Sequence, residues 1–133
     1  VIGGDDNNNN VLASVEVYNG SSWSTITDMP TARVNPTATF DENGYIYVIG
    51  GQDTKNGNPI GALEAWDGSS WYTLRDIPTP RYRLASSIDV TSSAGNILAI
   101  GGLDNGSGAI ATAEEYTLTP LNKPSDLVAE VTG

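Results

Sequence analysis

The feature that most constrains the fold is an internal repeat with a period of 48 residues. An aromatic residue, a tryptophan, a proline and an arginine recur at that spacing. They are Tyr18 and Trp66, Trp23 and Trp71, Pro30 and Pro78, and Arg33 and Arg81. A glycine pair also recurs, at 3–4, 50–51 and 101–102. A period of this length, with short apolar runs and many turns, is typical of β-propeller blades and not of helical solenoids.

The complete middle repeat predicts four short antiparallel strands, which is the content of one propeller blade. We expect these strands at residues 36–40, 45–49, 63–66 and 71–74, separated by turns and a polar loop. The apolar run 45–49 is typical of a strand covered on both faces. By alignment, the chain supplies three strands of a first blade, four of a second and three of a third. Because the first repeat lacks its opening part, we expect the chain to begin inside a repeat.

Three further features recur in each repeat. The glycine pair follows an apolar strand, a glutamate precedes an aromatic residue by two positions, and a tryptophan follows five positions later in the first two repeats. The glutamate pairs are Glu16 with Tyr18, Glu64 with Trp66, and Glu114 with Tyr116, and the segments Met29–Arg33 and Ile77–Arg81 complete the pattern. Together these residues resemble the Kelch repeat over about residues 1–118. The resemblance implies an all-β fold of Kelch-type blades with four antiparallel strands each, forming an incomplete ring in one chain.

The repeated residues are expected to have structural roles in the blades. A glycine pair permits either a close approach of two blades or a positive φ at the end of a strand. Trp23 and Trp71 are large enough to fill the space between adjacent blades, where a buried indole N–H needs an acceptor. The repeated glutamate can accept hydrogen bonds from backbone amides or pair with Arg33 or Arg81 of the next blade.

Composition excludes several functions. The net charge of -10, from 6 basic and 16 acidic residues, argues against binding to nucleic acid and to anionic membrane surfaces. The chain contains no histidine and no cysteine. This excludes thiol catalysis, Cys/His zinc sites and Ser-His-Asp triads. No apolar run approaches the length of about 18 residues that a membrane span needs.

The C-terminal segment, residues 119–133, differs from the repeats. It begins with a polar, proline-containing linker at 119–124. The residues that follow resemble the first strand of a fibronectin type III module, in which Leu127, Ala129 and Val131 alternate onto one face. The alternative is an extra edge strand that completes the third blade. The fibronectin resemblance implies a multidomain secreted or surface protein.

Three acidic or Asn-rich loops occupy equivalent places in the repeats, at about 5–11, 52–61 and 103–110. Such loops offer the oxygen ligands that calcium prefers, although their spacing does not match an EF-hand. Asx residues are also common in any turn. The weak calcium candidates are Asp5, Asp6, Asp53 and Asp104.

Arg33, Arg81 and Arg83 lie at the start of the predicted innermost strands, near the mouth of the channel. Arginine binds carboxylates through a planar fork, so the cluster is a candidate site for an anionic sugar, and Tyr82 could stack on a sugar ring. The competing interpretation for the arginines is ion pairing with Glu16, Glu64 or Glu114.

These patterns favour a non-enzymatic binding or scaffold module, without cofactor or catalytic residues, for a protein or carbohydrate ligand. An incomplete ring exposes apolar blade faces and strand edges, which predicts a homodimer or larger cyclic oligomer that completes the propeller. The runner-up is a fragment of a carbohydrate-active enzyme similar to galactose oxidase or to sialic acid mutarotase. The copper chemistry of galactose oxidase uses His ligands and a Cys-linked tyrosine, so that activity cannot reside in this chain.

Overall fold

The computed structural model describes residues 1–89, 91, 95–106, 108–118 and 129–132, and its regular structure consists of ten antiparallel strands. The strands are β1 (Val15–Tyr18), β2 (Trp23–Ile26), β3 (Thr37–Phe40), β4 (Ile46–Ile49), β5 (Leu63–Trp66), β6 (Trp71–Thr73), β7 (Ala85–Asp89), β8 (Asn96–Ile100), β9 (Ala113–Leu118) and β10 (Ala129–Thr132). They form a first sheet of β1 and β2, a second of β3 to β6, and a third of β7 to β10. The sheets do not close into a ring. The predicted all-β class is therefore confirmed, and no helix that could cross a membrane occurs among the described residues.

The second sheet contains the four strands that the middle repeat predicts, in sequence order. The turn between β3 and β4 is held by Asp41, whose Oδ1 accepts hydrogen bonds from the N–H groups of Asn43 and Tyr45 at 2.9 Å each. Gly44 supplies the positive φ of 84° that this turn requires. The strand β4 that follows is almost entirely buried, as expected for an apolar run covered on both faces.

The first and third sheets differ from the expected three strands each. In the first sheet, residues 1–4 form an isolated bridge, between Ile2 and Val15, instead of a strand. Only this residue pair on the short segment has the hydrogen-bond pattern of an antiparallel ladder. In the third sheet, β10 pairs with β9 in a register that places Ala129 opposite Leu118. Residues 129–132 of the C-terminal segment thus lie at the edge of the third sheet, the position that the alternative interpretation gives to this segment. Its linker and Leu127 lie outside the described residues, and the fibronectin resemblance stays a prediction.

Two apolar cores hold the sheets together. The larger lies between the second and third sheets and includes Leu63 and Ala65 on one side and Ile97 and Ala99 on the other, all of them fully buried. The smaller lies between the first and second sheets, around Val15, Met29 and Val48. The innermost strands β3 and β7 contact each other, and the hydroxyls of Thr37 and Ser86 lie 3.0 Å apart.

The outer face of the first sheet is open. Tyr18 is 52% exposed and Trp23 59% exposed, whereas Trp66, which corresponds to Tyr18, is 8% exposed. The indole N–H of Trp71 donates to the carbonyl of Thr27 at 2.9 Å, so this tryptophan links two sheets as predicted. Trp23 does not fill such a space, because no sheet among the described residues packs against it.

Candidate functional site

Two sheet-to-sheet contacts use the repeated Pro-Thr-X-Arg segment, and each of them is called an interlock here. In the first interlock, Glu64 on β5 accepts hydrogen bonds from the Thr31 hydroxyl at 2.5 Å and the Thr31 N–H at 3.4 Å. Its other contact is with Nη2 of Arg33 at 2.7 Å. Arg33 Nη1 donates to the carbonyls of Gly50 at 3.1 Å and Ala62 at 2.8 Å. The segment between the first two sheets is thereby fixed to the second.

The second interlock repeats this geometry between the second and third sheets. Glu114 accepts hydrogen bonds from the hydroxyl and the N–H of Thr79, and lies 2.9 Å from Nη2 of Arg81. Arg81 Nη1 donates to the carbonyls of Gly101 at 3.1 Å and Thr112 at 2.9 Å. The same groups in the same roles, one repeat apart, identify the interlock as a structural feature of the repeat.

Both interlocks bury charge. The side chains of Arg33, Arg81 and Glu64 are 0% exposed, and that of Glu114 is 16% exposed. Burial lowers the pKa of the Arg33 guanidinium, and the charge of Glu64 opposes this shift. The structure therefore shows ion pairing for Arg33 and Arg81, two of the four residues that the sequence proposes for ligand binding.

Arg83, in contrast, is exposed. Its guanidinium carbon lies 5.7 Å from the centroid of the Tyr82 ring, within the range of a cation–π contact, and no carboxylate pairs with it among the described residues. The backbone of Arg83 has a φ of 53°, and Asn35, one period earlier, has a φ of 55°. The Arg83 N–H donates to the Asn35 carbonyl at 3.0 Å, which brings these two unusual positions together.

The three acidic or Asn-rich loops lie side by side. Lys55 forms an ion pair with Asp5 at 2.8 Å, and the side chain of Asn105 donates to that of Asn58 at 2.5 Å. Tyr82 forms a bridge with Leu103 in the third of these loops, so Arg83 lies at the same end of the molecule. We call the loops 5–11, 52–61 and 103–110, together with Asn35, Tyr82 and Arg83, the loop end. Ser107 lies outside the described residues.

The loop carboxylates hold their own loops in shape. Asp6 accepts hydrogen bonds from the side chain and the N–H of Asn10, both at 2.9 Å, and from the N–H of Asn8 at 2.8 Å, and these bonds hold its pKa below the usual value. Asp104 Oδ1 accepts from the N–H groups of Gly106 and Gly108 at 3.0 Å each. At Asp53 the loop is held by the backbone instead of the carboxylate, because the Asp53 N–H donates to the carbonyl of Asn58 at 3.3 Å. Within the described part of the chain, no three His, Cys, Asp or Glu residues are grouped to hold a metal ion.

Calcium binding by the loop aspartates remains a prediction with a simple test. If these loops bind calcium, millimolar calcium will raise the melting temperature, because a ligand at about 100 times its Kd stabilises the folded state by about 2.7 kcal/mol. Thermal unfolding followed by circular dichroism, with magnesium as the control ion, measures this shift. An unchanged melting temperature in calcium would refute calcium binding.

A groove of about 540 Å³ lies between the first and second sheets. All three tryptophans of the chain line it, namely Trp23, Trp66 and Trp71. Tyr18 contacts Trp23 with ring centroids 5.3 Å apart, and Trp66 contacts Trp71 at 5.4 Å. The intrinsic tryptophan fluorescence of the protein therefore reports on this region.

Part of the chain matches a known protein family. Residues 1–30 match the family model of the Kelch motif. This segment contains the first glycine pair and the first Glu-X-aromatic motif, Glu16 to Tyr18, followed by Trp23. A search of curated proteins gave no match. The match and the antiparallel sheets together support the Kelch repeat that the sequence suggests.

Proposed function

We propose that this chain is a non-enzymatic binding or scaffold module of a secreted or surface protein, and that its loop end binds a ligand carrying a carboxylate, such as an acidic sugar. A Kelch motif suggests a binding or scaffold role. The observation that carries the proposal is the exposed guanidinium of Arg83 above the Tyr82 ring. An unpaired arginine fork beside an aromatic ring combines recognition of a carboxylate with an apolar stacking surface.

The backbone at Arg83 supports this assignment. A left-handed φ costs an L-residue about 1–2 kcal/mol, and asparagine tolerates it better than arginine does. The equivalent position, with almost the same φ, is Asn35. Strained positions of this kind cluster at ligand sites, where the surrounding structure holds them in place. The backbone conformation does not explain why position 83 is an arginine. We therefore assign the Arg83 side chain a role in binding the ligand.

Arg83→Asn is the direct test, because asparagine already holds the equivalent backbone conformation at position 35. We expect the variant to lose at least about tenfold in affinity for acidic sugars, a loss typical of a charge-assisted contact, with no loss of thermal stability. An array of acidic and neutral sugars measures binding, and circular dichroism measures stability. Arg75→Asn, which removes the same charge from another exposed arginine, is the matched control. Equal binding by Arg83→Asn and wild type, or no binding of acidic sugars at all, would contradict the proposal.

Completion of the ring by a second copy makes a separate prediction. Sedimentation equilibrium at micromolar concentration should then give a solution mass near twice the 13.9 kDa of one chain. The exposed aromatic side chains of Tyr18 and Trp23, which share one face of the first sheet, provide the driving force. A mass near that of one chain would count against self-association and leave this face to a different partner.

A further inference from the structure

The turn between β1 and β2 contains an asparagine followed by a glycine, and both are placed for a reaction with each other. Oδ1 of Asn19 accepts hydrogen bonds from the N–H groups of Ser21 and Ser22, at 2.9 Å each. The N–H of Gly20 donates to no acceptor among the described residues. Glycine has no side chain to shield its nitrogen, and even a Cβ built at Gly20 would meet no atom within 4 Å. An oriented amide carbonyl thus lies next to a free and accessible backbone N–H.

Three further asparagine–glycine pairs, at 43–44, 56–57 and 105–106, lack this arrangement. In each of them the glycine N–H is already bonded, from Gly44 to the carbonyl of Asp41 at 3.1 Å, from Gly57 to the carbonyl of Thr54 at 3.1 Å, and from Gly106 to Oδ1 of Asp104 at 3.0 Å. A bonded N–H reacts less readily than a free one, because its hydrogen bond must first be broken. As far as the structure describes the four pairs, only the first has a free glycine N–H.

The equivalent turn of the second sheet has an aspartate in place of this asparagine. Asp67 aligns with Asn19 one period later, and the same Gly-Ser-Ser sequence follows it. Its Oδ1 accepts hydrogen bonds from the N–H groups of Ser69 and Ser70, at 2.7 Å each. These bonds, with that from Ser70 the stronger influence, hold the pKa of Asp67 below its usual value. The turn therefore stabilises a negative charge on this oxygen.

Exposure of this turn is a property of the repeat. Residues 68–70 are exposed, although the second sheet packs against the first sheet on one side and the third sheet on the other. The equivalent residues 20–22 are exposed as well. Water can therefore reach Asn19 whichever neighbour the first sheet has.

We propose that Asn19 is a site of spontaneous deamidation in the folded protein. The nitrogen of Gly20 forms a bond to Cγ of Asn19 and loses its proton to solvent. Negative charge develops on Oδ1, where the N–H groups of Ser21 and Ser22 stabilise it. The Cγ–Nδ2 bond then breaks, a proton returns from solvent to the leaving nitrogen, and ammonia departs. One water opens the cyclic imide to an aspartyl or an isoaspartyl residue, which adds one negative charge to the chain.

This modification is independent of the proposed binding role. The loop 5–11 precedes β1 and the turn 19–22 follows it, so the two lie at opposite ends of this strand. The aspartyl product has the same Asp-Gly-Ser-Ser sequence that the second sheet contains at 67–70. We therefore expect the aspartyl form to keep the turn, with the carboxylate bonded as that of Asp67 is.

The experiment follows the four pairs separately in one sample. Trypsin cleavage gives the peptides 1–33, 34–55 and 56–75 with one pair each, and the fourth pair lies in the peptide that begins at residue 84. The folded protein is incubated in neutral buffer and digested, and mass spectrometry with fragmentation locates each deamidated residue. We expect deamidation at Asn19 to be at least about fivefold faster than at the other three pairs, the difference that one hydrogen bond of ordinary strength produces.

Unfolding in urea is the control for sequence effects, since all four glycine N–H groups are then free. We expect similar rates at the four pairs in urea. Equal rates in the folded protein would overturn the proposal, and so would an Asn19 that stays intact in the folded protein while it reacts in urea.

Asp67→Asn tests the turn itself, because it places the same four-residue sequence in the equivalent position of the second sheet. The N–H of Gly68 is also free among the described residues. In the folded variant we expect position 67 to deamidate about as fast as Asn19, while Asn56, in the same tryptic peptide, reacts more slowly. An intact asparagine at position 67 would show that the turn does not promote the reaction, and would overturn the proposal.

Discussion

Replacing Glu64 with glutamine is expected to lower the free energy of unfolding by about 3–5 kcal/mol, the usual cost of removing one partner of a buried ion pair. The variant leaves the Arg33 guanidinium fully buried without its ion-pair partner. It also weakens the acceptor for the Thr31 hydroxyl. Urea unfolding followed by tryptophan fluorescence measures the change, which we expect as a lower midpoint at an unchanged m-value. A loss of this size is a large part of the total stability of an ordinary domain.

The chain supplies its own control for this prediction. Glu16→Gln makes the same chemical change at the equivalent position, but the carboxylate is exposed and unpaired among the described residues. We expect its effect on stability to stay within about 0.5 kcal/mol. Similar losses for Glu64→Gln and Glu16→Gln would show that the interlock contributes little. The double variant Arg33→Met with Glu64→Met should recover part of the loss, since it leaves no unpaired buried charge.

The repeat made much of the fold predictable. Strand positions in the second sheet follow from local signals, namely the apolar run before Gly50 and the turn at 41–44, and the observed strands agree to within one residue. Ion pairing of the repeated arginines with the repeated glutamates was a prediction from the sequence as well. The pairing of Arg33 with Glu64 rather than Glu16 could not be deduced, because it depends on which sheets lie side by side.

Contacts between segments that are distant in the sequence could not be predicted. The position of β10 beside β9 depends on how the chain folds back, and a short alternating segment does not specify its partner strand. Arg83 shares its residue type with Arg33 and Arg81, yet it lies two residues beyond Arg81 and is exposed. The repeat does contain a signal for the unusual backbone of Arg83. Arg83 aligns with Asn35, and asparagine is typical of left-handed backbone.

Gly50→Ala is expected to lower the free energy of unfolding by about 3 kcal/mol or more. Two costs combine at this position. The φ of 64° costs an alanine about 1–2 kcal/mol. A Cβ at Gly50 would also lie closer than 3.0 Å to the carbonyl oxygen of Arg81, and overpacking against a fixed backbone costs about 1–3 kcal/mol more. Urea unfolding measures the sum.

Gly101→Ala separates the two costs, because Gly101 has nearly the same φ, 63°, but a Cβ there would meet nothing closer than the Ile110 carbonyl at 3.5 Å. We expect this control to lose only the conformational part, about 1–2 kcal/mol. The difference between the two variants then measures how tightly the segment that carries Arg81 packs against the end of β4. Equal losses would mean that the glycine pair recurs for its backbone conformation alone, and that the close approach of neighbouring repeats places no demand of its own on the sequence.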